Sequence, residues 1–300
     1  MSMNYTDLHR HLDGSVRLST LRELADEVGV ELPLDEAEIR FYAGMGLDQA
    51  LARFGITLSV LQTPDAVRRV AAEICEDAER EGVATLEIRF APQLHLGAAP
   101  DEIVDAALDG INARAGLILC GLYGEPPSVL EQLVAIGRHR PGVCGIDLAG
   151  GPAPDHSFGM ENYRAAFSQA REYGLGRTVH AGEGRPPSEI RFAIEQLHAQ
   201  RIGHGTSLLE DPAVLDLVLN RGILLEACPT SNVHTGIIAS VADHPLARWL
   251  RLGVSVSVCT DNTLLSNVDA PTEYERVAAI DGIGPNDLEL LVANGRSAAF

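Results

Sequence analysis

Lysine is missing from this 300-residue chain: all 23 of its basic residues are arginine. That absence removes several chemistries together. No side chain is available for a Schiff base, for the lysine of a phosphate-cradling P-loop, or for carbamylation as a bridge between two metal ions. Positive charge is scarce as well. The formal net charge is −19, and such a surface repels the phosphates of nucleic acid and of anionic membranes. No apolar run reaches the length of a membrane span, and the N-terminus has no charged segment followed by an apolar one. Candidate site residues begin at His9, which leaves no room for a removable leader. The cysteines (Cys75, Cys120, Cys144, Cys228 and Cys259) are odd in number and scattered singly. Cys120, Cys144 and Cys259 fall in strand-like runs, where free cysteine acts as a small core hydrophobe. The pattern predicts a reduced, cytoplasmic protein. Linkers, fixed-period repeats and low-complexity tracts are also lacking, so residues 1–300 are expected to form one domain.

What is present is alternation. Apolar runs rich in Val, Ile and Leu recur at Tyr5–His9, Ala84–Phe90, Gly116–Cys120, Val143–Leu148, Arg177–Ala181, Arg201–Gly205, Gly222–Ala227 and Val254–Thr260. Helix-like segments separate them. Pro64–Glu81 places Val67, Val70, Ala71, Ile74 and Ala78 on one face. Asp101–Ala113, Pro127–Arg138, Tyr163–Tyr173, Pro187–His198, Pro212–Asn220 and Pro245–Leu252 read likewise, several opening on proline, with Gly222 and Gly253 as C-terminal caps. Strand-helix alternation with eight strands predicts an α/β fold of the (β/α)8 barrel type, a doubly wound sheet being the alternative. The stretch Ser15–Glu81 is too long for one crossover and is expected to hold three or four extra helices between strands 1 and 2. Phe41, Tyr42 and Phe54 within it are candidates for core packing or for a pocket wall.

Histidine is placed at the ends of these runs. His9 and His11, two apart on a strand, project to the same side. His180 in TVHAGE, His204 in RIGHGT and Asp261 in SVCTDN also sit at or just past strand ends, the barrel face that houses catalysis. Three imidazoles and a carboxylate suit zinc or another borderline divalent ion used for hydrolysis. Glu183, three residues after His180 across Gly182, is positioned for general acid–base work rather than ligation, the competing role being a helix cap. His95, His139, His156, His198 and His244 read as surface or capping residues, and His234, following the seventh strand, lies on the active face.

Taken in order, HRHLDG, GIDLAG, HAGE, RIGHG, CPTSN and TDN resemble the adenosine deaminase family of metal-dependent hydrolases, from residue 7 to about residue 295. The resemblance implies a (β/α)8 barrel with one zinc ion per chain, held by His9, His11, His180 and Asp261. It implies that His204 and Asp261 orient and deprotonate a water that attacks C6 of a purine, while Glu183 protonates N1 and ammonia leaves. Gly150 would meet purine N3, and Asp13 the ribose hydroxyls. Two departures concern the substrate. Asp261-Asn262 replaces the commoner pair of aspartates, an asparagine amide still being able to donate to N7. Gly151-Pro152 stands where an acidic pair is usual. The final helix, after Leu291-Val292-Ala293-Asn294-Gly295, reads as short.

The favoured activity is therefore zinc-dependent deamination of a 6-aminopurine nucleoside, adenosine to inosine in type, with a small molecule as partner and homo-oligomerisation open. The alternatives are 6-aminodeoxyfutalosine deaminase of menaquinone biosynthesis and adenine deaminase. AMP is disfavoured by the acidic balance, although Arg10 or Arg17 could meet a phosphate. A dinuclear amidohydrolase lacks its bridging lysine, and a catalytically dead nucleoside-binding protein would not need the full set of ligands and Glu183.

Overall fold

A computed structural model describes residues 4–153 and 155–300. The strands are β1 (Tyr5–His11), β2 (Val83–Phe90), β3 (Gly116–Leu122), β4 (Val143–Ala149), β5 (Gly176–Ala181), β6 (Arg201–His204), β7 (Leu224–Ala227) and β8 (Ser255–Val258). They are hydrogen-bonded in sequence order as an eight-stranded sheet, and all registered neighbours are parallel. Closure is made by one short parallel bridge between Arg10 and Asp261. There the amide of His11 donates to Asp261 O at 2.7 Å, and the amide of Asp261 donates to His9 O at 2.8 Å. The expected (β/α)8 barrel is what forms.

Between β1 and β2 lie α1 (Leu18–Val28), a 3-10 turn at Glu36–Glu38, α2 (Leu47–Leu58) and α3 (Pro64–Glu81). The sequence reasons for α3 are plain. Thr63 caps its first turn by accepting from Ala66 N, and Pro64 occupies the position where a missing N–H costs nothing. Its buried face contains Val67, Val70, Ala71, Ile74 and Ala78. Gly82 ends the helix at φ 81°, a left-handed conformation that glycine adopts without strain. The remaining helices follow the expected spacing: α4 (Pro100–Ile111), α5 (Pro127–Gly137), α6 (Arg164–Glu172), α7 (Ser188–Gln196), α8 (Pro212–Arg221), α9 (Pro229–His234), α10 (Leu246–Arg251), α11 (Ala270–Ala278) and α12 (Pro285–Ala298). No helix among the described residues is long and apolar enough to cross a membrane.

Several local expectations change. The final helix is 14 residues long rather than short, and the chain beyond it seals the N-terminal end of the barrel. The Phe300 ring lies against Gly176, where an added Cβ would come within 2.1 Å of it. The Arg201 guanidinium stacks 3.7 Å from that ring's centroid. His95 and His244 are buried rather than at the surface. His95 bonds the Leu61 carbonyl and His244 accepts from Leu246 N, so each is spent on fixing a turn. Phe41 is buried in the core, Phe54 is partly buried against it, and Tyr42 points to solvent.

Candidate active site

Barrel closure is what assembles the site. Pairing Asp261 opposite Arg10 places its carboxylate beside the two β1 imidazoles. Asp261 Oδ1 lies 3.6 Å from His9 Nε2 and 3.4 Å from His11 Nε2, and the two imidazole nitrogens are 3.3 Å apart. Metal–ligand bonds of about 2.0–2.2 Å in tetrahedral arrangement leave roughly 3.3–3.6 Å between ligand atoms. His180, at the end of β5, offers a nitrogen within 4.8 Å of those of His9 and His11. His9, His11 and His180 thus come together, Asp261 lies beside His9 and His11, and the donor chemistry fits a divalent ion.

His204 stands on the opposite flank, its ring centroid 5.1 Å from that of His9. Both His204 and Asp261 have left-handed backbone angles, φ 65° and 62°. A non-glycine residue held there is strained, and such strain persists where the surrounding structure fixes it. Here it aims each side chain off its strand end into the site. Cys228 also falls among the metal-capable groups with His9, His204 and Asp261. Burial pushes its thiol pKa well up and it donates to Glu226 O, so it stays protonated.

Beneath the imidazoles runs a buried charge network. Glu226 Oε2 accepts from His9 Nδ1 at 2.8 Å, and an Asp147 oxygen lies 3.0 Å from His180 Nδ1. Arg89 joins the two carboxylates with contacts of 2.8 Å to each. Arg201 adds a second cation 2.8 Å from Glu226. A carboxylate behind each imidazole fixes the proton on Nδ1 and leaves Nε2 free to ligate. Burial holds His9 and His11 well below the ordinary histidine pKa, with Arg89 and the neighbouring imidazoles adding to it, so both present a lone pair. For His180 burial pulls the pKa down, but the adjoining Asp147 outweighs it and the net shift is upward.

Glu183 occupies the loop after β5, between Gly182 and Gly184, at φ 68° and 61°. An added Cβ at Gly182 would lie 2.7 Å from Ile190, so only glycine makes this turn without displacing α7. Glu183 does not cap that helix, which opens at Ser188. Its carboxyl is buried, accepts from Asn232 Nδ2 at 3.3 Å, and lies 3.7 Å from His204 Nδ1. Burial raises its pKa, which favours the protonated acid. His204 goes the other way, lowered by burial to about 4. Two adjacent groups with pKa values pushed in opposite directions are what an acid–base pair requires.

His11, His180, His204, Asp261, Glu183 and Asn262 line a small inner cavity of about 60 Å³. It opens across His11, Leu51, Phe54 and Gly150 into an outer cavity of about 400 Å³ that includes Asp13. Asp13 Oδ1 and Asn262 Oδ1 are buried without hydrogen-bond partners. For Asp13, which lines the outer cavity, such an orphaned acceptor marks a place a ligand or water fills. Asn262 is set by Gly14, where a Cβ would come within 1.8 Å of Asn262 Oδ1. His234 remains outside both cavities, in a neighbouring cleft.

Sequence reading missed Asp147, Glu226, Arg89 and Asn232. The signal was available in GIDLAG, LLEA and EIRF, where a charge interrupts an apolar run. A strand buried on both faces cannot solvate such a charge, which therefore needs interior partners.

The sequence model described as adenosine deaminase matches residues 5–300. The chain belongs to the adenosine deaminase family. It is 36% identical over 313 residues to the adenosine deaminase of Serratia proteamaculans, covering 98% of this chain and 93% of that one. A probable adenosine deaminase of Dictyostelium discoideum is 39% identical over 90% of this chain, which spans 37% of that longer protein. Among solved structures, the adenine deaminase of Arthrobacter aurescens superposes with a TM-score of 0.91 at 25% identity, covering 100% of this chain and 94% of that one. A zinc-containing amidohydrolase from Burkholderia ambifaria gives a TM-score of 0.89 at 25% identity, with coverage of 99% and 85%. An N6-methyl-AMP deaminase of Arabidopsis gives 0.88 at 25%, with coverage of 99% and 93%. As a member of this family the chain is an aminohydrolase, and its chemistry is deamination of an adenine-type substrate.

Proposed function

We propose that the chain hydrolytically deaminates a 6-aminopurine nucleoside, adenosine to inosine in type, using one zinc ion held by His9, His11, His180 and Asp261. The observation that carries this reading is the gathering of His9, His11 and His180, with Asp261 beside the first two, next to a buried carboxylic acid, Glu183. A zinc ion held by these residues would lower the pKa of water from about 15.7 to about 7 and so would supply a nucleophile at neutral pH.

The protein's own groups do the rest. Asp261 and His204 would orient a water and accept its proton as its oxygen adds to C6. Glu183 delivers a proton to N1, which breaks the aromaticity that protects C6. The exocyclic nitrogen then takes up a proton and departs as ammonia, leaving the 6-oxo purine. With Asn262 Oδ1 packed toward Gly14, its Nδ2 is the end that serves purine N7. Gly150 offers an N–H to N3.

A nucleoside is preferred over free adenine because Asp13 lines the outer cavity with an oxygen that lacks a partner, as a ribose hydroxyl requires. Free adenine, the substrate named for the Arthrobacter structure, would leave that oxygen and most of the outer cavity unused. Zinc-loaded protein assayed with adenosine, 2′-deoxyadenosine and adenine tests the reading: adenosine is expected to have the highest kcat/KM, and no turnover of any 6-aminopurine would refute it.

A further inference from the structure

Taking the deaminase reading as its basis, we infer that the outer cavity is a subsite for a neutral, apolar 5′ end, so that the enzyme accepts 5′-deoxy and 5′-alkylthio adenine nucleosides and rejects nucleotides. The placement follows from the cavities. A purine whose C6 lies beside His11 and Asp261 is larger than the inner cavity of about 60 Å³, so part of the ring and all of the ribose must continue past His11, Phe54 and Gly150 into the outer one. That outer space, about 400 Å³, exceeds what a ribose occupies.

Its walls define the chemistry. Leu51, Phe54 and Leu58 of α2 face Leu94 and Leu122 across it. Leu51 is 40% exposed, a large apolar side chain left uncovered at the mouth, where an apolar ligand group would shield it. Asp48 lines the cavity at its α2 side, and no arginine lines it among the described residues. His156 also lines it, and its Nδ1 accepts from Ala153 N at 3.1 Å.

The nearby arginines are committed elsewhere. Arg10 is held by Asp7 at 2.8 Å and Glu81 at 2.7 Å, and Arg17 bonds Asp77. Arg185 pairs with Glu189 at 2.7 Å and donates to the Pro152 carbonyl at 3.1 Å, bracing the Gly151-Pro152 rim instead of reaching inward. A 5′-phosphate, carrying a charge between about −1.5 and −2 at neutral pH, would meet the Asp48 carboxylate, no lining arginine among the described residues and the field of a chain of net charge −19. A methylthio group would meet leucine and phenylalanine.

The test is kcat/KM of the zinc-loaded enzyme for adenosine, 5′-deoxyadenosine, 5′-methylthioadenosine and AMP. Values for the two 5′-modified nucleosides within about tenfold of adenosine, with AMP at least about 100-fold below it, support the inference. AMP within about tenfold of adenosine overturns it, as does a loss of more than about 100-fold with 5′-methylthioadenosine. Asp48→Arg is expected to raise the AMP-to-adenosine ratio at least about tenfold; an unchanged ratio counts against the charge argument. Failure of all four substrates would sink the underlying deaminase reading instead, so the two outcomes are separable.

Discussion

Replacing Arg89 with methionine keeps most of the side-chain volume and removes one charge from beneath the metal centre. Arg89, Asp147 and Glu226 are fully buried, and the guanidinium lies 2.8 Å from each carboxylate. Asp147 then loses its arginine partner, while Glu226 keeps Arg201 at 2.8 Å. Breaking a buried pair from one side costs about 3–5 kcal/mol, because a charge is left without compensation; retention of Arg201 places the expected loss near 3 kcal/mol. Burial alone would raise the Asp147 pKa, but His180 and Arg89 together hold it well below the usual carboxylate range. A depressed carboxylate contributes stability above its unfolded pKa and loses it as the pH falls through the folded value. Without Arg89 that loss begins at higher pH, so the acid transition moves up. Carboxylates that orient metal-ligating imidazoles are each worth about 10–100-fold in metal affinity. Urea denaturation of the metal-free protein and zinc competition against a chromophoric chelator read both effects. Stability within about 1 kcal/mol of wild type, together with zinc affinity within about threefold, would refute the claim that this network organises the site.

Glu183→Gln removes the acid without removing a ligand, and is expected to lower kcat by about 10²–10⁴-fold with zinc content unchanged. The raised Glu183 pKa fixes a sign as well: the acid must be protonated to act, so kcat/KM falls as the pH rises through that pKa, on a limb above the ordinary carboxylate range. Gly14→Ala drives a methyl group into Asn262 and should raise KM for the purine at least about tenfold while zinc still binds; an unchanged KM would separate Asn262 from substrate. Buried His95, lowered by burial to about 4 from 6.5, stays neutral in the folded protein while the unfolded chain takes up a proton. Stability from this group is therefore present above pH 6.5 and lost on acidification toward pH 4. Over that window wild type should lose about 1.4 kcal/mol per pH unit more than His95→Asn, and parallel stability curves would contradict the assignment.

The barrel was legible because its strands are apolar and its helices start and stop on recognisable residues. Pro64–Glu81, with Thr63 before it and Gly82 after it, is the clearest case. The site was legible because histidine and aspartate lie just where those strands end, and because a pair two apart on β1 can only point one way. Orientation was less so. Nothing in the spacing of Asp147, Glu226 and Arg89, on three different strands, says that they meet; that follows from the tilt and register of a closed barrel. His95 and His244 looked ordinary because a histidine spent on a buried turn carries no periodic signature. The chain beyond α12 hid its role in the same way, since the fit of Phe300 depends on Gly176 at the start of β5 and Gly145 within β4, whose meaning appears only in three dimensions.

The most direct test is to incubate purified, zinc-loaded protein with adenosine and follow absorbance loss in the adenine band alongside ammonia release. The proposed mechanism requires one ammonia per inosine formed, no turnover after chelation, and recovery when zinc is restored. Turnover that persists in metal-free protein, or no ammonia from any adenine nucleoside, would contradict it.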